Sequence, residues 1–320
     1  MRNFSFTLRK PLFFILCWNI VVADKLAAQT TSPANSVDCY ISTGDNHWLG
    51  QSMAIVTEKS IADALEMLQA TLNTKTVYWR GLQEAAWNRK LFYRKENYRY
   101  ASAFSWFRYL MDTVQVEKIV TRKARELGME IWGVSTLGDW GSPADTPGFN
   151  DVPFCFESQL RIDNPEWIPV DKYGYRRQGG TIELAYPEAR KALVDLHTEL
   201  AKEAGYHGIT FLTYVENFSL RYADEFGYNE PIVAEFKKRY GIDIRKEPFT
   251  KTASKEAWYK LRGEYVTLYL KELKASLNKA GIQLGMFLDP VQPLMPMTWA
   301  TLPHTHRTIG NIYMDVFAWV

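Results

Sequence analysis

Apolar residues along this chain fall into two alternating rhythms. Between residues 58 and 73, Ile61, Leu65, Leu68 and Leu72 recur at spacings of four, three and four, which predicts an amphipathic helix. Residues 116–128 predict a basic-faced helix that ends on a glycine stop. Pro187 opens a third helix, with Leu193, Leu196 and Leu200 on one face and a stop at Gly205. Pro231 starts a fourth, with Ile232, Phe236 and Tyr240 in register and Gly241 closing it. A longer helix over 257–280 carries Leu261, Tyr265, Leu268, Leu273 and Leu277 and closes on Gly281. Short apolar runs lie between these helices. Residues 37–43, 76–80, 130–136, 208–215, 282–288 and 311–317 all read as strands. Strand and helix alternate, which predicts a parallel α/β fold. The expected architecture is a (β/α)8 TIM barrel over residues 37–320 with about six βα units visible. No helix follows the sixth predicted strand, so the barrel is expected to be cut short at the C-terminus.

Two connections are much longer than the roughly two to six residues usual in α/β loops. Residues 81–115 interleave Trp87, Phe92, Tyr93, Tyr98, Tyr100, Phe104 and Trp106 with Arg89, Lys90, Arg94, Lys95 and Arg99. Residues 137–186 carry Trp140, Trp167, Tyr173 and Tyr175 among glycines and prolines. Both follow predicted strands, so both belong on the face where barrel enzymes place their chemistry.

The strand ends supply the candidate chemistry. The first leads to Asp45, His47 and Trp48, the second to Arg80 and Glu84, and the third to Asp139 and Trp140. The fourth ends in Glu216 and Asn217, the fifth in Asp289, and the sixth contains Asp315. Ionisable groups mixed with tryptophans predict a concave polar site with aromatic walls. That mixture suits carbohydrate as partner. Flat rings meet sugar C–H faces, polar groups bond the hydroxyls, and glycoside hydrolysis needs one carboxyl as proton donor and another as nucleophile or base. Glu216, between Tyr214 and Phe218, is the candidate acid/base, because desolvation there would raise its pKa. The plainer reading pairs it with Arg221. Asp289 is the candidate second carboxyl, although an Asp-Pro step also serves simply as a turn. Asp45, His47, Trp48, Arg80, Glu84, Asp139, Trp140 and Asn217 form the candidate substrate-binding set.

The first 28 residues stand apart. Arg2, Arg9 and Lys10 precede an apolar run over 11–23, and Ala27-Ala28 offers a small-residue cleavage point. This is the layout of a secretory signal peptide, which would send the chain to the periplasm or beyond. The run is shorter than the ~20 residues that span a bilayer. Residues 29–36 form a polar lead-in. Removing 1–28 takes four basic residues and one acid from totals of 38 and 36, leaving 34 and 35. The net charge of +2 therefore belongs to the leader, and nothing in the remainder calls for nucleic acid or an anionic membrane. Cys39 and Cys155 could join in an exported chain, or stay as free buried thiols. His304 and His306 lack a third ligand, so no metal is expected. No glycine-rich phosphate loop and no nucleophile elbow occurs, so no dinucleotide or other cofactor is expected either.

Several segments together resemble a known family. Tyr78-Trp79-Arg80-Gly81-Leu82-Gln83-Glu84, Tyr186-Pro187-Glu188-Ala189-Arg190, Phe226-Gly227-Tyr228-Asn229-Glu230-Pro231 and Arg262-Gly263-Glu264 are similar to the glycosyl-hydrolase-like family 10 proteins. These are secreted bacterial proteins. The resemblance covers roughly residues 76–320 and implies a (β/α)8 barrel with carbohydrate-active chemistry. Related barrel glycosidases place the acid/base after the fourth strand, which matches Glu216, and the nucleophile after a seventh. The Asn-Glu order common there is reversed here as Glu216-Asn217. Two other readings compete: a non-catalytic carbohydrate-binding barrel or truncated pseudoenzyme, and an interaction protein whose aromatic segment 87–109 docks a partner.

Overall fold

A computed structural model describes residues 36–41, 56–82, 85–86, 91–93, 109–138, 140, 156–178, 180–212, 225–248, 252–287, 297–298, 312–315 and 319. In chain order the strands are β1 (Cys39–Ile41), β2 (Thr76–Trp79), β3 (Leu91–Tyr93), β4 (Glu130–Thr136), β5 (Phe156–Ser158), β6 (Gly208–Leu212), β7 (Gln283–Phe287), β8 (Met297–Thr298) and β9 (Tyr313–Met314). The α-helices are α1 (Glu58–Leu72), α2 (Val116–Glu126), α3 (Gln159–Asp163), α4 (Pro187–Ala204), α5 (Glu230–Tyr240) and α6 (Thr252–Lys279).

Five strands form one parallel sheet in the order β1-β2-β4-β6-β7. Chain order and spatial order agree, so all carboxyl ends lie along one edge. The sixth predicted strand is corrected. Tyr313 and Met314 pair antiparallel with Met297 and Thr298, apart from the parallel sheet. Asp315 directly follows β9, so it does not belong to a strand of the parallel sheet.

Side chains alternate between the two faces of the sheet. Val77, Trp79, Ile131, Ile209 and Phe211 are 0 % exposed and pack with Ile61 and Leu65 of α1, Val120 of α2, Leu193 of α4 and Leu273 of α6. The opposite face carries Tyr40, Tyr78, Trp132 and Phe287. Phe287 on β7 meets Tyr78 at 5.0 Å and Tyr40 on β1 at 5.9 Å between ring centroids. In a flat sheet, strands four positions apart stand roughly 19 Å from each other. The sheet is therefore rolled, with the aromatic face inside. Gly208 and Gly285 make room for the Trp132 ring: a Cβ at Gly208 would lie 2.4 Å from it, and one at Gly285 3.2 Å.

The helices start and stop where local chemistry dictates. Thr57 and Ser60 form a reciprocal capping box at α1, satisfying N–H groups that a helix start leaves bare. Pro occupies the first turn of α4 and α5. Gly205 ends α4 at φ +81°, a left-handed cap that costs glycine no steric penalty. A second cluster joins Tyr228, Ile232 and Phe236 around α5 to Trp258 and Leu261 on α6. Among the described residues no helix is long and apolar enough to cross a membrane. The leader at 1–28 lies outside them.

Candidate functional site

The carboxyl edge of the sheet is where both long connections leave. They meet each other: β3, from the first, pairs antiparallel with β5, from the second, in the register Leu91↔Ser158 and Tyr93↔Phe156. Neither partner was foreseen in the sequence, where both segments read as loops. Trp140 fastens the second connection at its root. Its N–H donates to Gly180 O at 2.7 Å, and its carbonyl accepts from Ser158 N–H at 3.0 Å.

Farther along, Asn229 ties this connection to the start of α5. Its Oδ1 accepts from Val170 N–H at 3.0 Å, and its Nδ2 donates to the carbonyls of Glu166 and Ile168, each at 2.9 Å. Antiparallel bridges Val170↔Arg177 and Asp171↔Phe226 complete the attachment. Arg161, fully buried on α3, donates through Nη2 to Gln178 O at 2.8 Å and through Nη1 to Thr181 O.

These ties shape a small pocket beside the carboxyl end of β4. Its volume is about 30 Å³, and its polar wall is made of Gln178, Thr181, Glu183 and Arg262. Leu137, Ile182 and Val266 contribute apolar surface. Arg262, on α6, stacks over Trp258 with its guanidinium carbon 5.0 Å from the ring centroid. Its other side lies against Gly227, where a Cβ would fall 2.4 Å from Cζ and Nε. The guanidinium is thus held between an indole and a backbone. Burial lowers the Arg262 pKa, and the charge of Glu183 offsets part of that. Burial pushes the Glu183 carboxyl up, against the charge of Arg262 and the N–H groups of Ala185 and Leu184.

Two other buried polar clusters lie in the layer between sheet and helices. The Tyr206 hydroxyl donates to Glu117 Oε2, and Trp79 also faces this carboxyl, whose pKa burial raises to about 7. His197 Nε2 lies 3.4 Å from Ser135 Oγ, and its Nδ1 lies 3.0 Å from the Tyr269 hydroxyl. Burial lowers its pKa to about 4. A serine beside a histidine is the beginning of a nucleophile–base pair. Here both are buried among Trp140, Phe211 and Tyr269, so the pair is a packing element.

Of the candidate catalytic and substrate-binding residues, Arg80 and Trp140 are described. Arg80 is buried directly after β2, where its N–H extends the ladder to Ile41 O at 2.8 Å. Trp140 is 1 % exposed, with its ring edge-on to His197. Glu216, Asp289, Asp45, His47, Trp48, Glu84, Asp139 and Asn217 lie outside the described residues, as does Cys155. Cys39 is a free thiol, with Sγ 3.3 Å from Thr74 Oγ1. Among the described residues no group of three or more His, Cys, Asp or Glu could hold a metal ion.

The pocket residues Gln178, Thr181 and Glu183 were missed as site candidates. Their segment has no helical or strand rhythm to set a facing direction. Arg262 did carry a signal: it stands four residues from both Trp258 and Val266, a cation on the apolar side of a helix.

No protein-family model matches the chain, and no curated protein matches it in sequence. Solved structures similar to it include α-L-fucosidase isoenzyme 2 from Paenibacillus thiaminolyticus, at 10 % identity and a TM-score of 0.43, with 82 % of this chain and 33 % of that one covered. The Flavobacterium johnsoniae chitobiase is similar at 14 % identity and a TM-score of 0.39, with 78 % and 31 % covered. The cycloalternan-forming enzyme of Listeria monocytogenes is similar at 12 % identity and a TM-score of 0.42, with 78 % and 21 % covered. This chain thus spans a third or less of the length of each of these three.

Proposed function

We propose that this chain is a carbohydrate-active barrel protein of the glycosidase type, exported by its leader and akin to the glycosyl-hydrolase-like family 10 proteins. One observation carries the proposal. The parallel sheet is sequential and rolled, so the segments that follow its strands leave from one edge. In folds built this way, catalytic groups sit at the carboxyl ends of the strands. Glu216 is four residues beyond the end of β6 at Leu212. In this reading Glu216 is the acid/base and Asp289 the second carboxyl. Asp45, His47, Trp48, Glu84, Asp139 and Asn217 line the sugar site, with the buried Arg80 and Trp140 behind them.

The test uses the longest natural form of the protein, assayed on a panel of glycans beside Glu216→Gln. Loss of a positioned acid/base should lower turnover roughly 10²- to 10⁴-fold while glycan affinity persists. Unchanged turnover removes Glu216 from the mechanism. Binding with no hydrolysis in either protein assigns the non-catalytic carbohydrate-binding barrel instead.

A further inference from the structure

Within the second long connection, residues 169–178 double back as a short hairpin. Val170 and Arg177 form an antiparallel bridge, and Gln178 N–H donates to Pro169 O at 2.8 Å. Asp171, almost fully buried, builds the turn from inside. Its Oδ1 accepts from Tyr175 N–H at 2.8 Å and Arg176 N–H at 3.2 Å, and its carbonyl accepts from Gly174 N–H at 3.0 Å. The base is held from the other side, where Val170 O accepts from Gly227 and Tyr228 N–H at 2.9 and 3.1 Å. The backbone at the tip is therefore fixed, and it presents Tyr173 and Tyr175. Among the described residues these are the most exposed large apolar side chains, at 69 % and 87 %, whereas the next, Val37 and Tyr240, stand at 46 %. Single apolar residues scatter over any protein surface. Two bare rings on one braced turn are a contact surface whose ordering entropy is already spent.

Charge narrows the partner. Lys172, Arg176 and Arg177 flank the rings, so a cationic partner is repelled. Their N–H groups already serve the hairpin itself. Lys172 Nζ donates to Glu247 O at 2.9 Å, Arg176 to Asp171 and Glu225, and Arg177 Nη1 to Pro165 O. An anion would have to displace these bonds, and two carboxylates beside Arg176 would oppose it. A neutral partner disturbs none of them. Area narrows it further. Two tyrosines can bury about 300–500 Å² at most, whereas a stable protein interface takes roughly 800 Å² from each side. The surface fits a partner with a small apolar face that recurs, so that weak contacts multiply along one molecule. A chain of neutral sugars has this form, because each ring repeats a face of C–H groups and carries no charge.

We infer that the hairpin tip is a platform for a neutral polysaccharide, with Tyr173 and Tyr175 stacking on its sugar rings. The inference rests on the carbohydrate reading above but not on hydrolysis, and it needs no chemistry at Glu216.

Co-sedimentation of the full chain with cellulose, chitin, mannan and granular starch should give saturable retention on at least one of them. The double variant Tyr173→Ala, Tyr175→Ala should bind that polymer about tenfold more weakly. Its Tm should match wild type, because rings this exposed add little to folding. Tyr173→Phe with Tyr175→Phe keeps both ring faces and should retain the polymer as wild type does. Raising salt from about 0.05 to about 0.5 M should leave retention unchanged, since no ion pair holds the sugar. Four results overturn the inference: no polymer retained, equal retention by the double alanine variant, loss of retention in the double phenylalanine variant, or loss at high salt. Retention through the rings without turnover of any glycan supports the platform and removes the hydrolase. Turnover without retention overturns the platform alone.

Discussion

Asn229 shows how much a single side chain can hold. Its amide is used in full: one acceptor bond from Val170 and two donor bonds to Glu166 and Ile168. Asn229→Ala strands these buried backbone groups and should cost about 2–4 kcal/mol in chemical denaturation. Asn229→Asp is the sharper probe. It keeps an acceptor for Val170 but turns a second oxygen toward two carbonyls, so it should be at least as destabilising as alanine. An aspartate variant as stable as wild type would show that the two donor bonds contribute nothing. In the sequence this residue was visible only within the Phe226–Pro231 motif of the family resemblance. Its partners lie about 60 positions away, and local pattern carries no information about contacts at that separation. Glu183 was hidden for the same reason: only burial beside Arg262 distinguishes it from any loop glutamate.

Elements were more legible than residues. Five predicted strands and five predicted helices form, with ends shifted by a few residues; the second and third of those helices are now α2 and α4. Helix faces follow from the 3.6-residue period and strand faces from the two-residue period, and both are local properties. Pairing is not local, which is why the strand predicted over 311–317 does form at Tyr313–Met314 but pairs outside the parallel sheet. The same limit concealed the β3–β5 pairing between the two long connections. Trp132 and Gly208 provide a test of the inner face. Gly208→Ala drives a methyl into the indole and should destabilise by about 1–3 kcal/mol, read as a fall in the denaturation midpoint. Trp132→Leu in the same chain should recover part of that loss. If the double variant is no more stable than Gly208→Ala alone, the ring is not what excludes a side chain at 208.

At the scale of the whole molecule, two buried ionisable groups should shape stability against pH in opposite senses. Glu117 has a folded pKa of about 7 against an ordinary 4.5, so it holds its proton longer in the folded state. Its contribution is complete below pH 4.5 and is lost as pH rises towards 7. Glu117→Gln should therefore gain on wild type across that window and level off above it, by up to about 3 kcal/mol. A difference that stays constant from pH 4.5 to 8 would show that the carboxyl is not buried with a raised pKa. His197 has a folded value of about 4 against an ordinary 6.5, so its contribution is complete above pH 6.5 and is lost as pH falls towards 4. An NMR titration should show its ring still neutral at pH 5.5. Sequence by itself determined the alternation of helices and strands, the parallel class and the polar residues beyond each strand. Those features depend on apolar period, caps and residue type over a few positions. Only the tertiary structure decided that the two long connections pair, that the last strand leaves the sheet, and that Arg262 and Glu183 share one pocket. Each of these depends on which distant segments exclude water together, and the free energy of that burial belongs to the assembled chain rather than to any stretch of it.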